Sequence, residues 1–273
     1  MNCQRFFIFL SFIFIACSSN DTEDQKKQCH KIETITRMDK DEFYPFETPQ
    51  KKTLDLYPFE ERSLDYYKIT KEFFRCKGQP LNPERVDSSN KDNIKVYLDC
   101  ESSAKHGLPL INGGENVYPI LVDILNYIQR QTKKRVVITC GHRCPKHNSY
   151  ADISNSAKNS KHMIGAEVDF YVQGLENSPQ KIIDLIFDYY KTEPKYRIDN
   201  TYTSFLSYKN PTDVSTPPWY NKEIFIKLNE STENRDFNNR HPYPYITIQV
   251  IFDRATKQKV TYSWEKAHRG YLQ

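Results

Sequence analysis

The chain has 273 residues, 39 Lys and Arg against 35 Asp and Glu, a formal net charge of +4 and 27% charged residues. That balance is too mild to support nucleic-acid binding, and the length allows one sizeable domain plus an extension. The 14% aromatic content, with 19 Tyr, suits a core or a surface that stacks on sugars or peptides.

At the N-terminus, Arg5 precedes an apolar run from Phe6 to Ala16, and Cys17-Ser18-Ser19-Asn20 follows. The run is too short to span a bilayer. A small residue before the cysteine and small polar residues after it resemble a bacterial lipoprotein signal. On that reading residues 1–16 are removed and Cys17 becomes a lipidated N-terminus on the membrane. An ordinary secretory signal is the alternative; both export the chain, to the periplasm or the cell surface. Residues 17–40 are polar and read as a tether. Residues 41–93 read as an N-terminal extension with an echo, Tyr44-Pro45-Phe46-Glu47 and Tyr57-Pro58-Phe59-Glu60. Two copies do not make a repeat architecture.

Export favours disulfides. Cys140 and Cys144 flank a Gly-His-Arg turn, and a bridge there would pin Arg143. A Cys76–Cys100 bridge would close the segment in front of the main domain and leave Cys29 over. Zinc ligation by these cysteines is the competing reading, weakened by the lack of a Cys-x-x-Cys pair.

The main domain is expected over residues 94–273. Ile120, Leu121, Ile124, Leu125 and Ile128 share one helix face, with Pro119 in the first turn. Val136 to Thr139 predict a buried strand, residues 145–161 a polar loop, and Ala166 to Val172 a second strand. Ser178-Pro179 open a second helix with Ile182, Ile183, Ile186, Phe187 and Tyr190 on one face. Phe205–Tyr208, Glu223–Leu228, Tyr245–Phe252 and Val260–Trp264 predict further strands. The class is α+β: a mostly antiparallel sheet with flanking helices.

The chemistry-bearing stretch is Ser160-Lys161-His162-Met163-Ile164-Gly165-Ala166-Glu167-Val168-Asp169. Alternation sends Ala166, Val168, Phe170 and Val172 to one face, and Glu167, Asp169 and Tyr171 to the other. His162 lies in the turn leading in. An imidazole and a carboxylate on one side are two of the three protein ligands of a catalytic zinc. This Ser-x-His-x-x-Gly-x-x-x-Asp pattern resembles the signature of the zinc D-alanyl-D-alanine carboxypeptidases and dipeptidases, whose fold is shared with the hedgehog signalling domain. The upstream strand, Val136-Val137-Ile138-Thr139-Cys140-Gly141-His142-Arg143-Cys144, matches the family's strand ending in Ser-Gly-Tyr-Arg-Ser. The resemblance covers roughly residues 116–265.

The resemblance implies a zinc metallopeptidase acting on peptidoglycan stem peptides. His162 and Asp169 are implied as zinc ligands, Arg143 as a clamp on a substrate carboxylate or carbonyl, Ser160 as a substrate or supporting hydrogen bond, and His142 as a lining of the substrate pocket. The family's third ligand is a histidine on the last core strand, where this chain has Thr247, with Gln249 beyond. His241, in Arg240-His241-Pro242-Tyr243, is the expected replacement; packing against Tyr243 or Tyr245 is its bland alternative. Asp236 is the nearest candidate for the general base, with Glu167 and Glu265 weaker replacements. The rival expectation is a lipid-anchored, non-catalytic wall-binding or scaffold protein that reuses the fold.

Overall fold

Helix α1 (Pro119–Thr132) forms where the sequence repeats apolar residues every three to four positions, and it buries Ile120, Leu121, Ile124, Leu125 and Ile128. Helix α3 (Pro179–Thr192) repeats the design with Ile182, Ile183, Ile186, Tyr189 and Tyr190. Both start on proline, whose missing N–H is not needed in a first turn. Burying each such Ile or Leu contributes about 1.5–3 kcal/mol. Their apolar stripes join one hydrophobic core, and Tyr127 meets Tyr189 edge-on with ring centres 5.3 Å apart.

The computed structural model describes residues 62–63, 66–87, 94–101, 106–153, 159–233 and 235–271, all within a unit spanning Asp55–Gln273. The signal-like run, Cys17, the tether, Cys29 and the Tyr-Pro-Phe-Glu echo lie outside the described residues. Among the described residues, no helix is long and apolar enough to cross a membrane.

The core is closed by a six-stranded antiparallel sheet. Its strands are β1 (Val136–Cys140), β2 (Glu167–Val172), β3 (Leu206–Ser207), β4 (Trp219–Tyr220), β5 (Ile224–Asn229) and β6 (Tyr245–Val250), in the order β1-β2-β6-β5-β4-β3. Val168 and Phe170 of β2, Ile246 and Ile248 of β6, and Ile224 and Ile226 of β5 bury toward the helices. Their alternate neighbours form the other face: Thr247 lies opposite Asp169, and Gln249 opposite Glu167. In β1 the register slips between Ile138 and Cys140, which pairs Cys140 with Asp169. A bulge of this kind re-aims a side chain.

The structure is α+β with a mostly antiparallel sheet, as expected, but two local expectations fail. Residues 145–161 are not all loop: Pro145–Ala151 form helix α2, with the Cys144 sulfur accepting from the His147 N–H at 3.3 Å. Val260–Trp264 is not a strand. Ser263 caps helix α4 (Trp264–Arg269) by accepting from the Lys266 N–H; that local bond competes with strand pairing.

Among the described residues ahead of Ile94, Ile69 and Phe74 join the core. Asn126 of α1 clamps Ile69 through both its backbone groups at 2.8 Å. Phe74 is fully buried, and its carbonyl accepts from the His142 N–H at 2.6 Å. Gly141 is needed here, because a Cβ on it would stand 2.6 Å from Phe74 Cα.

Candidate metal centre

A short 3-10 turn, Lys161–Ile164, carries His162 to the mouth of β2. The Ser160 hydroxyl caps it, accepting from the His162 N–H at 3.2 Å. Gly165 ends it at φ 67°, a left-handed conformation that glycine adopts without a Cβ penalty. The His162 Nδ1 lies 2.7 Å from the Gly141 carbonyl oxygen. A carbonyl only accepts, so Nδ1 carries the proton and Nε2 is left to face the cleft. There it meets Asp169 Oδ2 at 3.4 Å and Glu167 Oε2 at 3.8 Å.

Asp169 is buried and fully held. Asn239 Nδ2 donates to Oδ2 at 2.8 Å, and the Thr247 hydroxyl donates to Oδ1 at 2.7 Å. Asn229 Nδ2 in turn donates to the Thr247 oxygen at 2.9 Å. Burial pushes the Asp169 carboxyl up, but His162, Arg143 and Thr247 outweigh it and bring it to about 2. Burial likewise pushes His162 down, and Cys140, Glu167 and Asp169 hold it well above its ordinary value. The pocket therefore wants a cation between these groups, a proton or a metal ion.

Cys140 is a candidate third ligand, its sulfur 3.4 Å from His162 Nδ1. Cys140, His162 and Asp169 form a group whose donor atoms all lie within 4.8 Å of one another. Arg143 Nε donates to the Cys140 sulfur at 2.9 Å, and Arg143 Nη2 pairs with Asp236 Oδ2. Asp236 Oδ1 accepts from the backbone N–H and side-chain Nδ2 of Asn239, both at 3.1 Å. Glu167 is steadied by Gln249, which donates to Oε1 at 2.7 Å and leaves Oε2 toward His162. The cleft above these residues holds about 340 Å³ and is also lined by Ser160, Lys161 and Tyr245.

Several expectations are corrected. Neither disulfide forms: Cys76, Cys100, Cys140 and Cys144 are all free, and the Cys76 and Cys100 sulfurs stand 3.8 Å apart, against about 2.05 Å for a bond. The bulge sets Cys140 beside Asp169, whereas Cys144 joins Cys76, Cys100 and His106 in a second group. His241 does not join His162 and Asp169 in any such group of ligand atoms among the described residues. Its ring packs against Tyr171, Tyr243 and Tyr245 at 5.0, 6.1 and 5.7 Å, because Pro242 and Pro244 steer the chain along the sheet face. His142 is buried at 1% exposure beside Tyr271 and does not line the cleft. Arg143 lines the cleft and is 3% exposed, with Nε on Cys140 and Nη2 on Asp236. Ser160 reaches the cleft rim as a cap, and Asp236 lines the cleft with both oxygens engaged. Asn239 carries no signal in the sequence; Thr247 is signalled by its alignment with the missing ligand, and Cys140 by the competing reading of cysteine ligation.

The donor set could hold a metal ion. Ligands of a tetrahedral zinc at about 2.0–2.1 Å stand about 3.3–3.4 Å apart, and His162 Nε2 and Asp169 Oδ2 stand 3.4 Å apart. The Nδ1–H bond to a carbonyl and the Asn239 and Thr247 bonds to the carboxylate are the outer supports that metal ligands require. No family model, curated protein or solved structure matches this chain, so these residues carry the functional reading by themselves.

Proposed function

We propose that the chain is an exported, lipid-anchored zinc metallopeptidase of the D-alanyl-D-alanine carboxypeptidase and hedgehog-type fold, hydrolysing stem peptides of the cell wall. The observation that carries the proposal is the convergence of His162 Nε2 and Asp169 Oδ2 at 3.4 Å in an open polar cleft, with the Cys140 sulfur completing three ligands. Three protein ligands and an open side are the pattern of a catalytic rather than a structural zinc.

A zinc ion there supplies a Lewis acid and lowers the pKa of a nearby water. The remaining work falls to the chain. Glu167 takes over the base role expected of Asp236, because its Oε2 faces His162 while Gln249 fixes the other oxygen. Arg143 acts as a positioning residue: it holds Cys140 and Asp236 and keeps its own charge, since burial is outweighed by Cys140, Asp236 and Asp169. Thr247 and Asn239 orient Asp169 so that its charge points at His162.

One observation favours a non-catalytic, wall-binding protein instead: Thr247 occupies the strand position across from Asp169 where the resemblance expects a histidine ligand. Zinc content and peptide release decide between the two. The enzyme reading expects wild type to release amino acids from wall peptides in a chelator-sensitive way, and expects His162→Ala to lose both that activity and the cleft zinc. Wall binding without release, unchanged in His162→Ala, establishes the binding reading.

A further inference from the structure

We propose that Cys76, Cys100, Cys144 and His106 form a second, closed metal site, a structural tetrahedral centre for a thiophilic divalent cation, zinc. Their four donor atoms lie within 4.8 Å of one another. Sulfur ligands of a tetrahedral zinc at about 2.3 Å stand about 3.8 Å apart, and the Cys76 and Cys100 sulfurs are separated by 3.8 Å. Three cysteines and one histidine are a common structural zinc set.

The imidazole supports the assignment independently. Both ring nitrogens of His106 are buried and lack a hydrogen-bond partner, a costly arrangement unless something else binds them. The ring is held edge-on by Tyr271. The sulfurs are likewise set apart from the aliphatic core, in a small cluster of their own with Tyr271 against it. Backbone wraps the cluster closely: a Cβ on Gly78 would collide with the Cys100 sulfur and come within 2.7 Å of Asp99 Oδ1. The His147 N–H donates to the Cys144 sulfur at 3.3 Å, the kind of outer support a thiolate ligand receives.

The ligands come from separate stretches of chain. Cys76 follows the turn that buries Phe74, Cys100 and His106 lie beyond the hairpin of Arg85–Asp87 and Lys95–Tyr97, and Cys144 caps α2. A metal here cross-links segments with little core of their own. A pair of disulfides cannot do so, because three thiols leave one unpaired.

The test uses the full chain, purified under reducing conditions and carrying His162→Ala so that the cleft site is silent. Expected are about one zinc per chain, three sulfurs and one nitrogen around it by X-ray absorption, and thiolate-to-metal charge transfer on cobalt exchange. Cys144→Ser in that background should lose both metal and charge transfer. Should that variant fail to fold, His106→Ala keeps all three thiols and is expected to release cobalt to a chelator faster than its parent. Alkylation of Cys76, Cys100 and Cys144 should speed up when chelator is added. A metal-free parent overturns the inference, as does alkylation indifferent to chelator. The cleft proposal fails separately: in that case wild type and His162→Ala hold the same single sulfur-bound metal.

Discussion

Two of the three groups of ligand atoms among the described residues sit at the two ends of one five-residue turn, Cys140 to Cys144, and they differ in kind. The cleft group mixes sulfur, nitrogen and oxygen, opens to solvent and is surrounded by carboxylates and Arg143. The other gathers three sulfurs and an imidazole with no ion pair among them and no hydrogen bond to the ring. An open three-ligand set with charged neighbours suits chemistry, and a closed four-ligand set suits cohesion. The turn that joins them has Gly141 against Phe74, close to the strand end from which Arg143 reaches the cleft.

The largest effect should come from the closed side. Cys144→Ser should lower unfolding stability by more than about 4 kcal/mol in denaturant titration, the range reached when a structural metal is lost. The Asp169→Asn change should cost much less. Equal costs would erase the distinction between a cohesive cluster and a working one.

Asp236→Asn comes next. It leaves the Arg143 charge buried without its carboxylate partner, and removing one member of a buried pair costs about 3–5 kcal/mol. The cleft metal should be lost and the thiol-bound metal kept, as read by zinc content in the presence and absence of His162→Ala. Loss of both metals would show that the turn transmits damage from one side to the other.

The third prediction concerns pH. Burial, then the nearby His106 and His162, push the His142 imidazole down from 6.5 to about 3. The folded chain therefore leaves His142 neutral where the unfolded chain protonates it. Stability is intact above 6.5 and falls with pH between 6.5 and about 3, by about 1.4 kcal/mol per unit. His142→Leu should flatten this limb relative to wild type, since the metal ligands contribute the same slope to both. Parallel acid limbs would mean that His142 gains a partner on protonation.

Thr247→Val is the gentlest change. Losing one hydrogen bond to Asp169 should cost about 1 kcal/mol, and cleft metal affinity should fall about tenfold. The thiol cluster should be untouched. An unchanged cleft affinity would remove Thr247 from the support of Asp169.

Much of this was legible in the chain. The apolar periodicities of α1 and α3, the alternation of β2 and the spacing of His162, Gly165 and Asp169 are local signals, and each element formed where its signal lay. Strand alternation alone put Asp169 and Glu167 on one face, because side chains in a strand change sides at every residue. The partners of the cysteines were not legible. Cys140 reaches Asp169 through a register slip set by its neighbouring strand, and Cys76, Cys100, His106 and Cys144 meet only when distant segments close around Gly78 and Phe74. His241 carried a ligand's chemistry but was drawn into an aromatic cluster by the prolines around it. The sequence by itself determined the two long helices, the core strands and the metal-capable residues. Only the tertiary structure decided which of them share a point in space, because that depends on long-range closure and cross-strand register rather than on local periodicity.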